Sequence, residues 1–464
     1  MTCRRLSFFV LVLLYAFPFD SHAQSLKRST PGKEGVAAAG ILQFIDAAEH
    51  SKNELHSFIL MRHGNIVAEG WWNPYAPGLK HTMYSCSKSF TATAIGFAVQ
   101  EKLVKLDDKV VSFFPGDLPA AVSDNLAKLT VKDVLIMSDG QDPDPSFTVA
   151  SRDTNWVRGF FNTPIINEPG TKFLYNSLGT YMLSAIVQKV TGQTTLSYLR
   201  PRLFEPLGIS GIDWEEDTRG INTGGWGLRL KTEDMAKFAQ LFLQKGKWQG
   251  KQVLPAGWAE EASSMKIMQD PNAPQSKKDS SDWLQGYCYQ MWRCRNNAFR
   301  GDGAFGQYMI VMPDKDAVMA ITCETADMQN EINLVWQYIL PALKDSGVPK
   351  DKANEKQLKK KLKSLALPTP ANNSSPIEAA IDTKTFVAAA NDKQIRGLAF
   401  DFDKGVCHFT LKTDTATFNI DFTAGSWADG TTNKPAPSLT AAAKEQTAFL
   451  YPAKIAGAYT WKDD

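Results

Sequence analysis

Hydrophobic and polar positions alternate or recur along most of the chain in ways that predict strands and helices. Residues 35–50 (GVAAAGILQFIDAAEH) repeat apolar side chains at helical spacing, and residues 326–343 also read as a helix. Apolar runs interrupted by turn residues predict β-hairpins at 57–72 and 308–322. The middle, residues 85–207, is mostly helical. This order predicts an α+β fold, in which an antiparallel sheet flanked by helices joins the two ends of a domain around an inserted helical lobe.

The pattern changes after Pro349. Residues 349–376 are rich in Lys and then in Pro, Ser and Asn, which is typical of a linker or a solvated helix face. Strand-like segments dominate afterwards, and residues 417–422 alternate cleanly between apolar and polar. The sequence therefore predicts a first domain over residues 30–348 and a small all-β domain over 377–464. We expect the second domain to be incomplete, because the chain stops with strand character.

The N-terminus has the features of a secretory signal. Arg4 and Arg5 precede an apolar run at residues 6–19, which is too short to span a bilayer comfortably. Ser21-His22-Ala23 follows with the small residues that a signal peptidase reads. We interpret residues 1–23 as a signal peptide, with a retained membrane anchor as the alternative. The mature protein is then expected to be secreted or periplasmic, without stable membrane insertion.

Composition excludes several classes of protein. The 464 residues have a formal net charge of +2 and no dominant basic block, so a nucleic-acid partner is not expected. Five of the six cysteines remain after signal cleavage, and this odd, sparse set is not a disulfide framework. Cys and His do not occur at zinc-binding spacings. We therefore expect neither a metal nor a cofactor.

A candidate nucleophile stands near the start of a helix-like segment at residues 81–104. Ser85 precedes Lys88 by three positions, so on a helix the two side chains share one face. A serine beside an amine base is an activated nucleophile, and S-x-x-K is the nucleophile motif of several hydrolases. A second match, Ser263 to Lys266, leads into a polar loop instead of a buried helix. From this pattern alone, a helix-capping role for Ser85 is an equally good interpretation.

Five segments, in order, resemble the class C β-lactamase-like serine hydrolases, a family that includes penicillin-binding DD-peptidases, esterases and oligomer amidases. The segments are 85–115, 134–140 (VLIMSDG), 169–192 (PGTKFLYNSLGTYMLSAIVQKVTG), 224–242 and 301–322. The resemblance runs from about residue 35 to residue 343. It implies the β-lactamase/transpeptidase-like fold and hydrolysis through an acyl-enzyme.

The resemblance assigns roles to individual residues. Ser85 matches the acylated nucleophile and Lys88 its general-base partner, while Tyr175 matches the residue that passes a proton to the leaving group. Which of Lys88 and Tyr175 accepts the serine proton stays open, because coupled groups titrate as a unit. The backbone N–H groups of Ser85 and Ala304 correspond to the oxyanion hole.

Two substrate-binding motifs depart from the family pattern. Ser177 stands where the family usually has asparagine, and a hydroxyl holds a substrate amide less well. The third motif falls at Gly301-Asp302-Gly303, without the usual cation at its first position. A substrate carboxylate would lose its anchor there, and Asp302 would repel it. Arg300 could replace the missing charge unless strand alternation points it away.

Together these features predict an exported serine hydrolase that acts on an ester or amide bond of a small or peptide-like substrate. The departures favour esters or uncharged amides over β-lactams. One alternative is a DD-peptidase or β-lactamase acting on peptidoglycan or β-lactams. Another is a catalytically idle binding or sensor protein that keeps the pocket without useful turnover.

Overall fold

A computed structural model of the chain describes residues 26–434 and 452–462. The predicted signal peptide lies outside the described residues. Within them, the α-helices are α1 (Ala38–Glu49), α2 (Ser87–Gln100), α3 (Asp124–Lys128), α4 (Val131–Leu135), α5 (Ser146–Arg152), α6 (Trp156–Asn162), α7 (Ser177–Thr191), α8 (Thr195–Leu199), α9 (Thr232–Leu243), α10 (Trp258–Ser263), α11 (Gln275–Ser280), α12 (Met328–Leu334), α13 (Lys352–Leu362) and α14 (Ile377–Ile381).

The strands of the first domain form one large sheet and two small ones. They are β1 (Glu54–Arg62), β2 (Asn65–Trp71), β3 (His81–Thr82), β4 (Asp213–Trp214), β5 (Leu228–Leu230), β6 (Lys247–Trp248), β7 (Lys251–Gln252), β8 (Trp292–Arg293), β9 (Phe299–Gly303), β10 (Gln307–Met312) and β11 (Ala317–Glu324). The large sheet has the order β2-β1-β11-β10-β9-β8 and is antiparallel throughout. Phe58 in β1 pairs with Ile321 in β11, so the sheet joins the two ends of the domain, which confirms the predicted α+β fold.

Both faces of this sheet are buried. In β10, Tyr308 and Ile310 belong to a core that includes Phe44 of α1, whereas Met309 lies in a second core with Phe90 of α2. Because helices cover both faces, the strands appear in the sequence as nearly continuous apolar runs. The sheet and α2 thus form a closely packed layer that supports the turn before α2, where Ser85 lies.

Helix α2 runs through the centre of the domain and is buried over almost its whole length. Gly96 allows close packing, because a Cβ there would come within 2.4 Å of the Trp258 ring. The buried hydroxyls of α2 find partners: Thr91 donates to the Gly224 carbonyl at 2.9 Å and Ser89 to the Gln290 carbonyl at 3.0 Å. These hydrogen bonds satisfy polar groups that would otherwise destabilise the core, and they fix the orientation of the helix.

The segment predicted as a linker contains a helix, α13, that packs on the first domain. Leu358 of α13 is buried in the same core as α1. The chain beyond it also pairs with the domain, since Asn73 donates its N–H to the Leu365 carbonyl at 3.0 Å and accepts from the Leu367 N–H at 2.8 Å. This part of the segment therefore extends the first domain.

A separate sheet follows near the C-terminus, as predicted. Its strands are β12 (Thr385–Val387), β13 (Ile395–Asp403), β14 (Val406–Thr413), β15 (Thr417–Ala424), β16 (Ala428–Thr432) and β17 (Ala453–Tyr459). Their order is β12-β13-β14-β15-β17-β16, with β15 and β17 parallel. Within the residues that the structure describes, no helix is both long enough and apolar enough to cross a membrane.

Candidate active site

Ser85 lies in a single 3₁₀ turn, Tyr84–Cys86, that leads directly into α2. Tyr84 has a φ of 44°, in the left-handed region that a bulky residue rarely adopts without tertiary support. The support comes from Ser87, whose hydroxyl donates to the Tyr84 carbonyl at 2.6 Å and accepts from the Leu228 N–H at 3.2 Å. This fixed turn places Ser85 in the wall of a cavity.

Lys88 lies one helical turn after Ser85, on the same face, as its spacing predicts. Its Nζ is 3.0 Å from Ser85 Oγ, 3.1 Å from Ser177 Oγ and 2.8 Å from the Gly225 carbonyl oxygen. The residue is only 1% exposed, and this burial lowers the pKa of Lys88 from 10.5 to about 7. A neutral amine there can donate to Gly225 and Ser177 while its lone pair receives the proton of Ser85.

Tyr175 completes the group of three. A hydrogen bond joins its side chain to that of Ser85, and Lys88 Nζ lies 4.9 Å from the centre of its ring. The ring also stacks on Trp292 at 5.7 Å. Burial raises the pKa of Tyr175 despite the hydrogen bond from Ser85, so the phenol keeps its proton at neutral pH. The amine therefore has a pKa suited to accepting a proton, whereas the phenol is suited to donating one.

Asn176 caps the start of α7, and Ser177 links that end of the helix to Lys88. The Asn176 side chain caps α7 by accepting from the Leu178 N–H at 2.9 Å and the Gly179 N–H at 3.1 Å. Ser177 is the first residue of the helix and points its hydroxyl at Lys88. The sequence suggested Ser177 as a substrate-binding residue, and the structure gives it a direct contact with Lys88.

Strand β9 brings the third motif to the other side of Ser85, and both Asp302 and Ala304 line the same cavity. Gly303 must be small, because a Cβ there would lie 2.4 Å from the Met83 carbonyl oxygen. The Gly303 carbonyl accepts from the Gly306 N–H at 3.2 Å within a tight turn. Since a trans peptide is planar, the Ala304 N–H points the opposite way, out of the turn.

Arg300 does not supply the cation that the third motif lacks. The residue is fully buried, and its Cζ lies 4.4 Å from the centre of the Trp283 ring. Its Nε and Nη2 are each 2.8 Å from Asp302 Oδ2. The guanidinium charge is therefore paired with Asp302 beneath the cavity wall.

The cavity has a volume of about 590 Å³ and opens between β9 and the start of α12. Its other walls come from residues that sequence motifs did not identify: Trp283, Trp292, Ala326, Asp327, Met328 and Gln329. The two tryptophans lie in an aromatic-rich segment, but nothing in their local pattern places that segment opposite Ser85. Among the residues described, no group of three or more His, Cys, Asp and Glu side chains could hold a metal ion.

The sequence of the first domain is similar to those of known proteins. A family model described as Beta-lactamase matches residues 54–343. The chain is 26% identical over 284 residues to the 6-aminohexanoate-dimer hydrolase of Paenarthrobacter ureafaciens, an alignment that covers 57% of this chain and 71% of that protein.

Two solved structures show the same fold at low sequence identity. The octameric penicillin-binding protein homologue from Pyrococcus abyssi is 17% identical, with a TM-score of 0.51 over 85% of this chain and 92% of the other. The structure described as EstCE1, a hydrolase with promiscuous acyltransferase activity, is 13% identical, with a TM-score of 0.55 over 66% of this chain and 99% of the other.

Proposed function

The chain belongs to the Beta-lactamase family and is a serine hydrolase, and from this premise we propose that Ser85 attacks the carbonyl carbon of an ester or amide that lacks a carboxylate near the cleaved bond. One observation carries the proposal: a buried amine with a pKa of about 7 lies 3.0 Å from the Ser85 hydroxyl. An amine with that pKa accepts a proton at neutral pH and can return it later.

The proposed reaction proceeds through an acyl-enzyme. Lys88 takes the proton of Ser85 as the Oγ–carbon bond forms, and the N–H groups of Ser85 and Ala304 stabilise the oxyanion. The bond to the leaving group then breaks, and Tyr175 delivers a proton to that group, which Lys88 replaces. Water attacks the acyl-enzyme in the same manner, which releases the acid and restores the hydroxyl of Ser85.

The amide bond in the proposal has support from a similar protein. The relative from Paenarthrobacter ureafaciens is named for hydrolysis of the 6-aminohexanoate dimer, whose monomers are joined by an amide. The chain also resembles a solved hydrolase with acyltransferase activity, although at 13% identity that likeness shows the fold alone.

Esters are expected to be much better substrates than β-lactams. Asp302 lines the cavity, and its buried carboxylate would face the carboxylate of a penicillin or cephalosporin. Arg300 offsets part of this charge, but the cation that would bind a substrate carboxylate is missing. Since a hydrogen bond to a charged group contributes about 1.5–3 kcal/mol, we expect kcat/KM for p-nitrophenyl acetate or butyrate to exceed that for nitrocefin by about tenfold or more. Spectrophotometric rates with purified protein measure this ratio. Nitrocefin turnover as fast as ester turnover, or covalent labelling by a fluorescent penicillin, would favour the DD-peptidase or β-lactamase alternative.

We also propose that the protein is exported, on the strength of the signal-like residues 1–23. Cleavage after Ala23 leaves Gln24 as the first residue. Intact mass of the protein recovered from the periplasm or medium measures this directly, and a mass that retains residues 1–23 would contradict the proposal.

A further inference from the structure

The charges around the cavity point to the kind of substrate that it accepts. We propose that the active site selects esters or amides that carry an alkylammonium group, which Asp302 and the aromatic walls of the cavity hold. This inference rests on the proposed hydrolase function and sharpens it. The sequence suggested uncharged substrates because an anchor for carboxylates is missing, whereas the carboxylate of Asp302 on the cavity wall favours a cation.

Asp302 is the main evidence. Its side chain is 9% exposed and lines the cavity together with Ser85. Both contacts with Arg300 end on Oδ2, so among the described residues the lone pairs of Oδ1 remain available to a ligand. Arg300 itself is fully buried, so a bound substrate contacts the carboxylate and not the guanidinium, although the guanidinium offsets part of the Asp302 charge. A carboxylate held in a fixed position is a strong acceptor for an ammonium N–H or a partner for a quaternary ammonium.

Other carboxylates near the cavity also favour a positively charged substrate. Asp327 lies on the cavity wall at the start of α12, and Asp144 receives the N–H of Ser177 at 3.1 Å. Asp144 and Asp302 both act electrostatically on Lys88 and Tyr175, and Lys88, with its pKa lowered to about 7, carries only part of a positive charge near pH 7. The cavity lining thus contains two carboxylates and no cationic side chain among the described residues.

Aromatic rings form much of the rest of the cavity wall. Arg300 already lies over one face of the Trp283 ring and Lys88 lies near the Tyr175 ring, so the remaining ring surfaces are those that a substrate cation would contact. Trp283, Trp292 and Tyr175 all line the cavity. Trp283 and Trp292 pack edge to face at 6.4 Å, and Tyr175 stacks on Trp292. Aromatic faces attract alkylammonium groups through the ring quadrupole, and this attraction is strongest where water is excluded. A carboxylate beside such rings favours a cation and disfavours a substrate carboxylate.

Charge-matched substrates test the proposal on both sides of the cleaved bond. In the leaving-group series, acetylthiocholine is compared with neutral 3,3-dimethylbutyl thioacetate and anionic 3-(acetylthio)propanoate. In the acyl series, p-nitrophenyl 4-(trimethylammonio)butanoate is compared with its neutral isostere, p-nitrophenyl 5,5-dimethylhexanoate. In at least one series, kcat/KM for the cation is expected to exceed that of the neutral isostere by about tenfold. A tenfold ratio corresponds to about 1.4 kcal/mol, which one favourable charge contact in a partly solvated cavity supplies.

Variants of the cavity carboxylates test whether these residues cause the preference for cationic substrates. D302N is expected to bring the ratio of cationic to neutral kcat/KM close to one. D302N leaves Arg300 buried and unpaired, so this variant could fail to fold, and D327N provides a second test. Asparagine at position 327 keeps the helix cap but removes a charge. We expect D327N to lower the ratio of cationic to neutral kcat/KM about twofold. D345N changes an exposed aspartate paired with Lys315 and serves as the matched control, with an unchanged ratio.

The outcomes separate this inference from the proposed function. If the neutral esters are cleaved in a Ser85-dependent way but neither series shows a cation preference, the inference is wrong and the hydrolase proposal stands. A cation preference that survives in both folded D302N and D327N also overturns it. If no substrate in either series is cleaved faster than by the S85A protein, the proposed function fails first.

Discussion

Replacement of Ser85 with alanine is expected to lower kcat/KM for p-nitrophenyl butyrate by about 10⁴-fold or more, because the variant lacks the atom that forms the acyl-enzyme. The substitution removes one oxygen at a partly exposed turn and leaves the buried helix α2 intact. The thermal unfolding midpoint should therefore change little. Stopped-flow or steady-state release of p-nitrophenolate measures the rate, and intact mass after brief exposure to the ester shows an acyl adduct on the wild-type protein only.

The chain offers a matched control for this experiment. Ser263 begins the second S-x-x-K match, but it closes the short helix α10, and its hydroxyl makes only a long contact of 3.5 Å with the Glu260 carbonyl. S263A should hydrolyse the ester at the wild-type rate. Equal rates for S85A and wild type would refute the enzymatic proposal, whereas stoichiometric acylation of Ser85 without turnover would support the alternative of an idle binding or sensor protein.

The features that the sequence predicts correctly depend on the pattern of residues close together along the chain. The hairpin at 57–72 consists of apolar runs interrupted by a turn, in which His63 and Gly64 adopt φ values of 50° and 74°. The juxtaposition of Ser85 and Lys88 follows from helical spacing alone. We interpret the Lys-rich segment as a linker or a solvated helix face, and α13 is a largely solvated helix. Leu358 is its only buried residue, and a single apolar position gives no periodic signal for packing on the first domain.

The unpredicted parts of the site depend on contacts between distant segments. Ser177 meets Lys88 across 89 positions, and Arg300 of the Arg300–Asp302 pair lies against the ring of Trp283, which lies outside the strands of the sheet. Strand alternation alone indicated that Arg300 could point away from the substrate, but not that it would neutralise part of the Asp302 charge. The aromatic wall likewise arises where β8 and its preceding loop pack against Tyr175, which no local motif encodes.

Lys88 is expected to control the pH dependence of the reaction. Since the pKa of Lys88 is lowered from 10.5 to about 7, the amine is protonated and unable to accept a proton at low pH, and it becomes a base as the pH rises through 7. The wild-type kcat/KM should therefore increase with pH along a limb with its midpoint near 7, because kcat/KM reports groups of the free enzyme. Substitution by methionine, which fills the same space without a base, should lower kcat/KM by about 10³-fold and remove the limb.

A comparison with Y175F decides which group is the acylation base. The pKa of Tyr175 is raised by burial, so loss of its hydroxyl should slow proton delivery to the leaving group and affect poor leaving groups most, while the limb near pH 7 remains. p-Nitrophenolate needs little help to depart, so Y175F should retain more activity on its esters than on anilides. K88R, which keeps a permanent charge, should resemble K88M at every pH. If Y175F loses the limb and K88M keeps it, the phenol and not the amine accepts the proton of Ser85, and the buried lysine serves only to hold Ser177 and the Gly225 carbonyl in place.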